Sequence, residues 1–97
     1  MTYDEMIKSG KTVLVEFYAT WCPHCQKMMP VVEQIRELLA GQVEIYQLDI
    51  DQNQDTADHV GVSSIPTFLL YKDGTIVWRH TGEMEAGALL GKIRGES

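Results

Sequence analysis

The chain has 97 residues, of which 44% are hydrophobic and 23% charged, a balance that suits one compact domain over residues 1–97. A formal net charge of −6 argues against nucleic acid or an anionic membrane as a partner. No apolar run approaches the ~18 residues of a membrane span. The N-terminus lacks the basic-then-apolar form of a signal peptide, so we expect a cytoplasmic protein unless an export signal has been trimmed.

The hydrophobic pattern predicts secondary structure in the order α-β-α-β-α-β-β-α. The helices are expected over about 3–9, 23–40, 55–59 and 83–94, and the strands over about 12–18, 43–49, 67–71 and 75–80. A helical crossover of about twenty residues joins the first two strands, which implies that they pair in parallel. Asp73-Gly74 is the signal of a two-residue type I′ hairpin, so the last two strands are antiparallel. The result is a small mixed sheet with helices on both faces.

The second predicted helix has an apolar stripe and an internal proline. Pro30 removes the hydrogen bond to the Gln26 carbonyl, which predicts a kink, and Gly41 suits a left-handed position after the helix. Met29 also follows the core period and is assigned no chemical role. The predicted core stripe comprises Met28, Val31, Val32, Ile35, Leu38 and Leu39.

Cys22-Pro23-His24-Cys25 holds the only two cysteines of the chain, at the junction between a buried strand and a helix. Residues three apart lie side by side on one helix face, so the two sulfurs can form a disulfide. Cys22 faces the positive end of the helix dipole, which favours the thiolate, the nucleophilic form. Pro23 suits the first helical turn, and His24 can add a cation or a donor. Cys22 is therefore the predicted nucleophile, and Cys25 is the resolving thiol that releases the product.

Several segments carry a resemblance to one family at matching spacings. They are residues 15–22 (Val-Glu-Phe-Tyr-Ala-Thr-Trp-Cys), Pro30, Leu48-Asp49-Ile50-Asp51-Gln52-Asn53, Ile65-Pro66-Thr67, Lys72-Asp73-Gly74 and Thr81-Gly82. Together they resemble the thioredoxin family, in register from about residue 11 to residue 94. The resemblance implies a thioredoxin fold with a mixed sheet of about four strands, in which the family's first strand is missing. Residues 43–49 would then form an exposed edge, unless the segment before Gly10 pairs there instead of forming a helix.

Three departures from the family pattern concern the active site. The dipeptide between the cysteines is Pro23-His24, where thioredoxins have Gly-Pro, and Pro-His resembles the periplasmic disulfide-forming oxidants of the same superfamily. Glu16 stands where thioredoxins usually carry a buried aspartate, and Gln47 stands where many carry a lysine near that carboxylate.

The resemblance implies a protein-disulfide oxidoreductase that needs no cofactor beyond its own Cys22–Cys25 disulfide. It places Glu16 beneath Cys25 as a proton acceptor, although a strand carboxylate can instead point to a solvated edge. The expected partners are protein disulfides or dithiols and a thioredoxin-reductase-type electron donor, and we expect a monomer. Pro23 and His24 are expected to modulate the redox site.

The resemblance also implies a substrate groove. It predicts a cis bond before Pro66, which turns the Ile65 backbone toward an extended substrate peptide. Trp21 and Gly82 are expected to border this groove, whereas Trp78 is expected to serve packing.

Two alternative functions remain open from the sequence. One is a metal site formed by Cys22, Cys25 and His24, although structural zinc usually takes four ligands and His59 and His80 show no ligand spacing. The other is a non-catalytic adaptor that binds partners through the same groove. An adaptor has no need of two cysteines, so the pair favours the enzyme, and we expect no bound metal.

Overall fold

Residues 1–96, which the computed structural model describes, form a four-stranded mixed sheet with helices on both faces. The strand order is β2-β1-β3-β4, in which β1 runs parallel to β2 and antiparallel to β3, and β3 and β4 form a hairpin. The predicted topology is confirmed. The helices are α1 (Tyr3–Ile7), α2 (Pro23–Leu38), α3 (Gln54–His59) and α4 (Ala86–Glu96), and the strands are β1 (Thr12–Tyr18), β2 (Glu44–Asp49), β3 (Thr67–Lys72) and β4 (Thr75–Thr81).

The central strand β1 contributes to a core on each side of the sheet. Leu14 packs with residues of α2 and α4, whereas Val13, Val15 and Phe17 pack on the opposite face, which α1 and α3 cover. Because side chains alternate along a strand, Glu16 points to the same face as Leu14. The alternation therefore sends the only charged side chain of β1 toward α2, the helix that carries the cysteines.

Helix α2 contains Pro30, as predicted, but it ends at Leu38 rather than Ala40. Its buried stripe is narrower than the predicted one: Met28, Val32, Ile35 and Leu39 are buried, and Val31 is only partly buried. These four are spaced four, three and four residues apart, so they define a single face. Met29 and Leu38 lie at its margins and are 44% and 49% exposed, contrary to the prediction that both follow the core.

The N-terminal segment forms α1 and does not pair with the sheet. Thr2 and Glu5 form a capping box, and α1 ends at Ile7 rather than at Ser9. The Tyr3 hydroxyl bonds the Tyr71 hydroxyl at 2.8 Å, which fixes the helix over the sheet. Among the described strands β2 pairs only with β1, so β2 is an edge strand, as expected without the family's first strand.

Residues with positive φ occur at two places around β4, in the turn before it and directly after it. Asp73 and Gly74 have φ values of 52° and 80°, as the predicted type I′ turn requires. Gly82 follows β4 with φ 107°, and α4 begins only at Ala86, three residues later than predicted. Glu83 therefore lies in the connection between β4 and α4. Within residues 1–96, no helix combines the length and the apolar character needed to cross a membrane.

Candidate active site

Cys22 is the N-cap of α2. Its Sγ accepts the Cys25 backbone N–H at 3.2 Å, and Pro23 occupies the first helical turn. Ser, Thr, Asp and Asn usually fill this position, because their side chains accept a hydrogen bond from the first turn. A sulfur in the same position receives an N–H bond and the positive end of the helix dipole, both of which stabilise negative charge on it. Both cysteines are free thiols and are almost fully buried, with exposures of 4% and 1%.

Two side-chain hydrogen bonds hold the turn before Cys22. The Gln26 side chain donates to the Thr20 carbonyl at 2.9 Å, across the start of α2. The Trp21 indole donates to Asp51 at 2.9 Å, while the side chain is 64% exposed. Trp21 therefore lies beside the reactive turn with its ring open to solvent. No sequence pattern indicated that Gln26 fixes the turn.

The two thiols differ in their environment. Burial, a hydrogen bond with the Cys22 sulfur and the nearby charges of Cys22 and Glu16 together raise the pKa of the Cys25 thiol to about 12, against a hydrogen bond from the backbone of Ala19 that lowers it. Cys25 is thus a proton donor that stays protonated at neutral pH unless a base removes its proton. It cannot attack a disulfide in its resting form, because the thiolate is the nucleophile.

Glu16 is fully buried, so the alternative in which it points to a solvated edge is wrong. Desolvation raises its pKa to about 7, opposed by a hydrogen bond from Gln47 and by the charge of Arg36. Its Oε1 accepts the Gln47 amide at 2.9 Å, and its Oε2 is buried without a partner. The carboxylate is therefore half-satisfied, and it acts electrostatically on Cys25. A base with this pKa can exchange a proton near neutral pH.

The Gln47 side chain connects Glu16 to two residues, Arg36 and Met29, that the sequence analysis did not place at the site. Arg36 Nη2 donates to Gln47 Oε1 at 3.0 Å, and Gln47 Nε2 lies 3.7 Å from the Met29 sulfur. Met29, assigned to the core from its spacing, lies instead at the surface beside the polar site. Its contact depends on a side chain eighteen residues away, which sequence periodicity does not reveal.

The opposite side of the site is formed by the loop before β3. The Ile65–Pro66 peptide bond is cis, as the family resemblance implied. Ile65 packs against the cluster that Ala19, Cys22 and Cys25 form, and the Pro66 carbonyl accepts the Gly82 N–H at 2.8 Å. Of the three residues predicted to border a groove, Ile65 thus lies against the cysteine cluster, and Pro66 and Gly82 are joined to each other by a backbone hydrogen bond.

His24 forms a contact that sequence reasoning missed. Its Nδ1 lies 2.5 Å from a carboxylate oxygen of Glu83, in the connection between β4 and α4. The hydrogen bond from His24 holds the pKa of Glu83 below its ordinary value. The two residues are 59 positions apart, and no pattern in the sequence joins them. No group of three or more His, Cys, Asp or Glu side chains within residues 1–96 is arranged to hold a metal ion.

Comparison with known proteins adds evidence from whole sequences. The family model described as Thioredoxin matches residues 1–95. A thioredoxin of Mycobacterium tuberculosis is 42% identical over 89 residues, which cover 92% of this chain and 77% of that protein. The chloroplastic thioredoxin Y of rice is 34% identical over 95% of this chain, and this chain spans only 55% of the rice protein's length.

Solved structures agree with the sequence relatives. A mutant thioredoxin from Halobacterium salinarum superposes with a TM-score of 0.88 at 35% identity, covering 95% of this chain and 80% of that one. Mitochondrial thioredoxin 3 from Saccharomyces cerevisiae, in its oxidised form, gives 0.88 at 30% identity, covering 96% and 86% of the two chains. The chain belongs to the thioredoxin family of protein-disulfide oxidoreductases.

Proposed function

We propose that this chain transfers electrons between its Cys22–Cys25 pair and disulfides of other proteins, with Glu16 as the proton acceptor. The observation that carries the proposal is the placement of Cys22 Sγ on the Cys25 N–H at the start of α2, with a buried carboxylate on the adjoining strand. In the reducing direction the dithiol loses two electrons and two protons, and one substrate disulfide becomes two thiols.

The first step is attack by Cys22 on a substrate sulfur. The helix N-terminus and the Cys25 N–H stabilise the thiolate at Cys22, so it reacts before Cys25 does. The substrate S–S bond breaks, its leaving sulfur takes the electron pair and a proton, and a mixed disulfide joins Cys22 to the substrate.

The second step is attack by Cys25 on the mixed disulfide. Negative charge on Cys22 contributes to the raised pKa of Cys25, and that charge is absent once Cys22 is bonded to the substrate. Cys25 therefore becomes more acidic at the stage when it must lose its proton. Glu16, with a pKa near 7, accepts this proton as the Cys22–Cys25 bond forms. The bond between Cys22 and the substrate sulfur breaks, and that sulfur leaves with the electron pair and takes up a proton from solvent.

The surroundings of the cysteines support a protein substrate. Ile65 packs against the cluster of Ala19, Cys22 and Cys25, and Trp21 is exposed on the turn before Cys22. We infer that an extended segment of a protein substrate lies along the Ile65 backbone. A thioredoxin-reductase-type donor would bind the same surface to restore the dithiol, and the protein would act as a monomer.

The Pro23-His24 dipeptide sets the redox poise in this proposal. A cation near Cys22 stabilises the reduced form, since only that form carries a thiolate, and this makes the protein a stronger oxidant. The Glu83 carboxylate contacts His24, so it opposes any positive charge that the imidazole brings to the site. Replacing Pro23-His24 by Gly-Pro is expected to lower the reduction potential measured against glutathione.

Mass spectrometry with a peptide disulfide tests the order of the steps. Cys25→Ser should accumulate a mixed disulfide through Cys22, whereas Cys22→Ser should form no adduct and show no turnover. If the protein is instead a groove-binding adaptor, Cys22→Ser should still bind partners, and neither variant should change the redox state of the bound partner. Turnover that survives Cys22→Ser contradicts the proposal.

The role of Glu16 is tested by the rate of the second step. Glu16→Gln should slow resolution of the mixed disulfide at pH 7 by roughly tenfold or more, given what general bases contribute. Glu37→Gln, on the exposed side of α2, is the matched control. Equal resolution rates in both variants would show that another group accepts the proton.

A further inference from the structure

Arg36 is held at three points although it lies on the partly exposed side of α2. Its Nη1 donates to the Ile45 carbonyl at 2.9 Å, its Nη2 donates to Gln47 Oε1 at 3.0 Å, and its Nε lies 3.4 Å from a Glu33 oxygen. The side chain is 39% exposed. A surface arginine with one ionic partner would be mobile, whereas a planar guanidinium with three fixed contacts has a single orientation.

This orientation determines which way the Gln47 amide points. A guanidinium can only donate, so the amide oxygen of Gln47 must face Arg36. The amide nitrogen is then left to donate to Glu16 Oε1 at 2.9 Å, with the Met29 sulfur at 3.7 Å on its other side. Without Arg36, the two ends of the amide are nearly equal in shape and can exchange places.

We propose that Arg36 is a positioning residue of the redox site, which fixes the Gln47 amide so that its N–H group, and not its carbonyl, faces Glu16. The consequence for disulfide exchange rests on the proposed role of Glu16 as the proton acceptor for Cys25. The arrangement itself rests only on the contacts of Arg36, Gln47 and Glu16.

The fixed amide favours one protonation state of Glu16. An N–H donor stabilises the carboxylate, whereas a carbonyl turned toward Glu16 would accept a proton from it and stabilise the neutral acid. Both the Gln47 hydrogen bond and the Arg36 charge lower the pKa of Glu16 against the effect of burial. Losing Arg36 therefore removes a cation and also allows the amide to reverse its effect.

Few other charges act on Glu16 from the elements packed against it. Helix α2 contributes Arg36 and Cys25, β2 contributes the neutral Gln47, and β3 places the apolar Phe68 opposite Glu16 in the sheet register. Arg36 is thus the cation that governs this carboxyl group within residues 1–96. A Glu16 that stays protonated at neutral pH could not take the Cys25 proton, so the resolving step would need higher pH.

Carboxyl ¹³C NMR of the reduced protein can measure the titration midpoint of Glu16 directly. In Arg36→Met we expect the midpoint to rise by about one pH unit, within the range of nearby-charge effects. Adding Gln47→Lys to this variant places a cation next to Glu16 and should return the midpoint to the wild-type value or below. Arg79→Met is the matched control, because Arg79 also donates to two backbone carbonyls, those of Val60 and Gly61, and should leave the midpoint unchanged.

A second comparison separates orientation of the amide from simple charge. In a Gln47→Met background the amide is absent, so Arg36→Met should raise the Glu16 midpoint by clearly less than it does in the wild type. An equal rise in both backgrounds, or no rise in either, overturns the proposal. A rise in the Glu16 midpoint that is clearly smaller in the Gln47→Met background supports the proposal. This result does not depend on whether Arg36 also stabilises β2.

Rates of mixed-disulfide resolution, measured across pH on the same variants, distinguish this proposal from the proposed function. If the rate profile of Arg36→Met moves to higher pH together with the Glu16 midpoint, both are supported. If the midpoint moves and the rate profile does not, the positioning role of Arg36 stands and the proton-acceptor role of Glu16 fails.

Discussion

Glu16→Gln is expected to stabilise the reduced protein in a pH-dependent manner. The carboxyl group is fully buried, one of its oxygens has no hydrogen-bond partner, and its pKa rises from 4.5 to about 7. Between these two values the folded protein binds more protons than the unfolded chain. The free energy of unfolding therefore falls as pH rises through this window, because ionisation of the buried group costs more than ionisation in the unfolded chain.

The size of the effect follows from the two pKa values. A difference of about 2.5 units corresponds to about 3 kcal/mol, since each unit is worth about 1.4 kcal/mol. This cost is absent below pH 4.5 and complete above pH 7. In a domain of this size, about 3 kcal/mol moves the melting temperature by on the order of 15 °C. Glutamine is close in shape and carries no charge, so it removes the cost at high pH.

Urea unfolding of the reduced wild-type protein and of Glu16→Gln, at pH 4 and at pH 8, measures this difference. The advantage of the variant should grow by about 3 kcal/mol between the two pH values. Any constant difference reports the changed hydrogen bond with Gln47 and does not bear on ionisation. Glu37→Gln controls for loss of a surface charge. If the variant's advantage is the same at pH 4 and pH 8, the carboxyl group does not titrate near pH 7 in the folded protein.

Three further predictions concern other parts of the chain. Gly91→Ala should raise the free energy of unfolding in urea by about 0.5–1 kcal/mol, because Gly91 lies inside α4 and an added Cβ meets nothing within 4 Å. Gly82→Ala should lower it, because φ is +107° at this position. Glu83→Gln should raise the reduction potential by about 10–20 mV, because it removes a negative charge that contacts His24 at the start of α2, and high salt should abolish the shift. A shift that persists in high salt contradicts this. Alternate amides of 44–49 should exchange with solvent much faster than those of β1, and uniform strong protection in a proven monomer would show that the edge is covered.

The elements could be predicted because their signals are local. The mostly apolar run at 12–18 and the Asp73-Gly74 turn each depend on a few neighbouring residues. The spacing of Cys22 and Cys25 places both at the first turn of a helix. The predictions of buried residues were wrong where the helical period allows either of two adjacent residues to face the core. Met29 and Leu38 fit the helical period of α2, yet they lie beside its buried face and are exposed.

The sequence by itself determined the cysteine pair at the start of a helix and, through the family resemblance, predicted that Glu16 and Pro66 belong to the site. Only the tertiary structure decided what surrounds them. Glu83 reaches His24 because α4 begins at Ala86, and Arg36 orients the Gln47 amide beside Glu16 because α2 lies across the edge strand β2. Such contacts join side chains on different elements, and they depend on the packing of these elements and on rotamers. Spacing along the chain therefore predicts which groups react, whereas three-dimensional packing sets their charge and orientation.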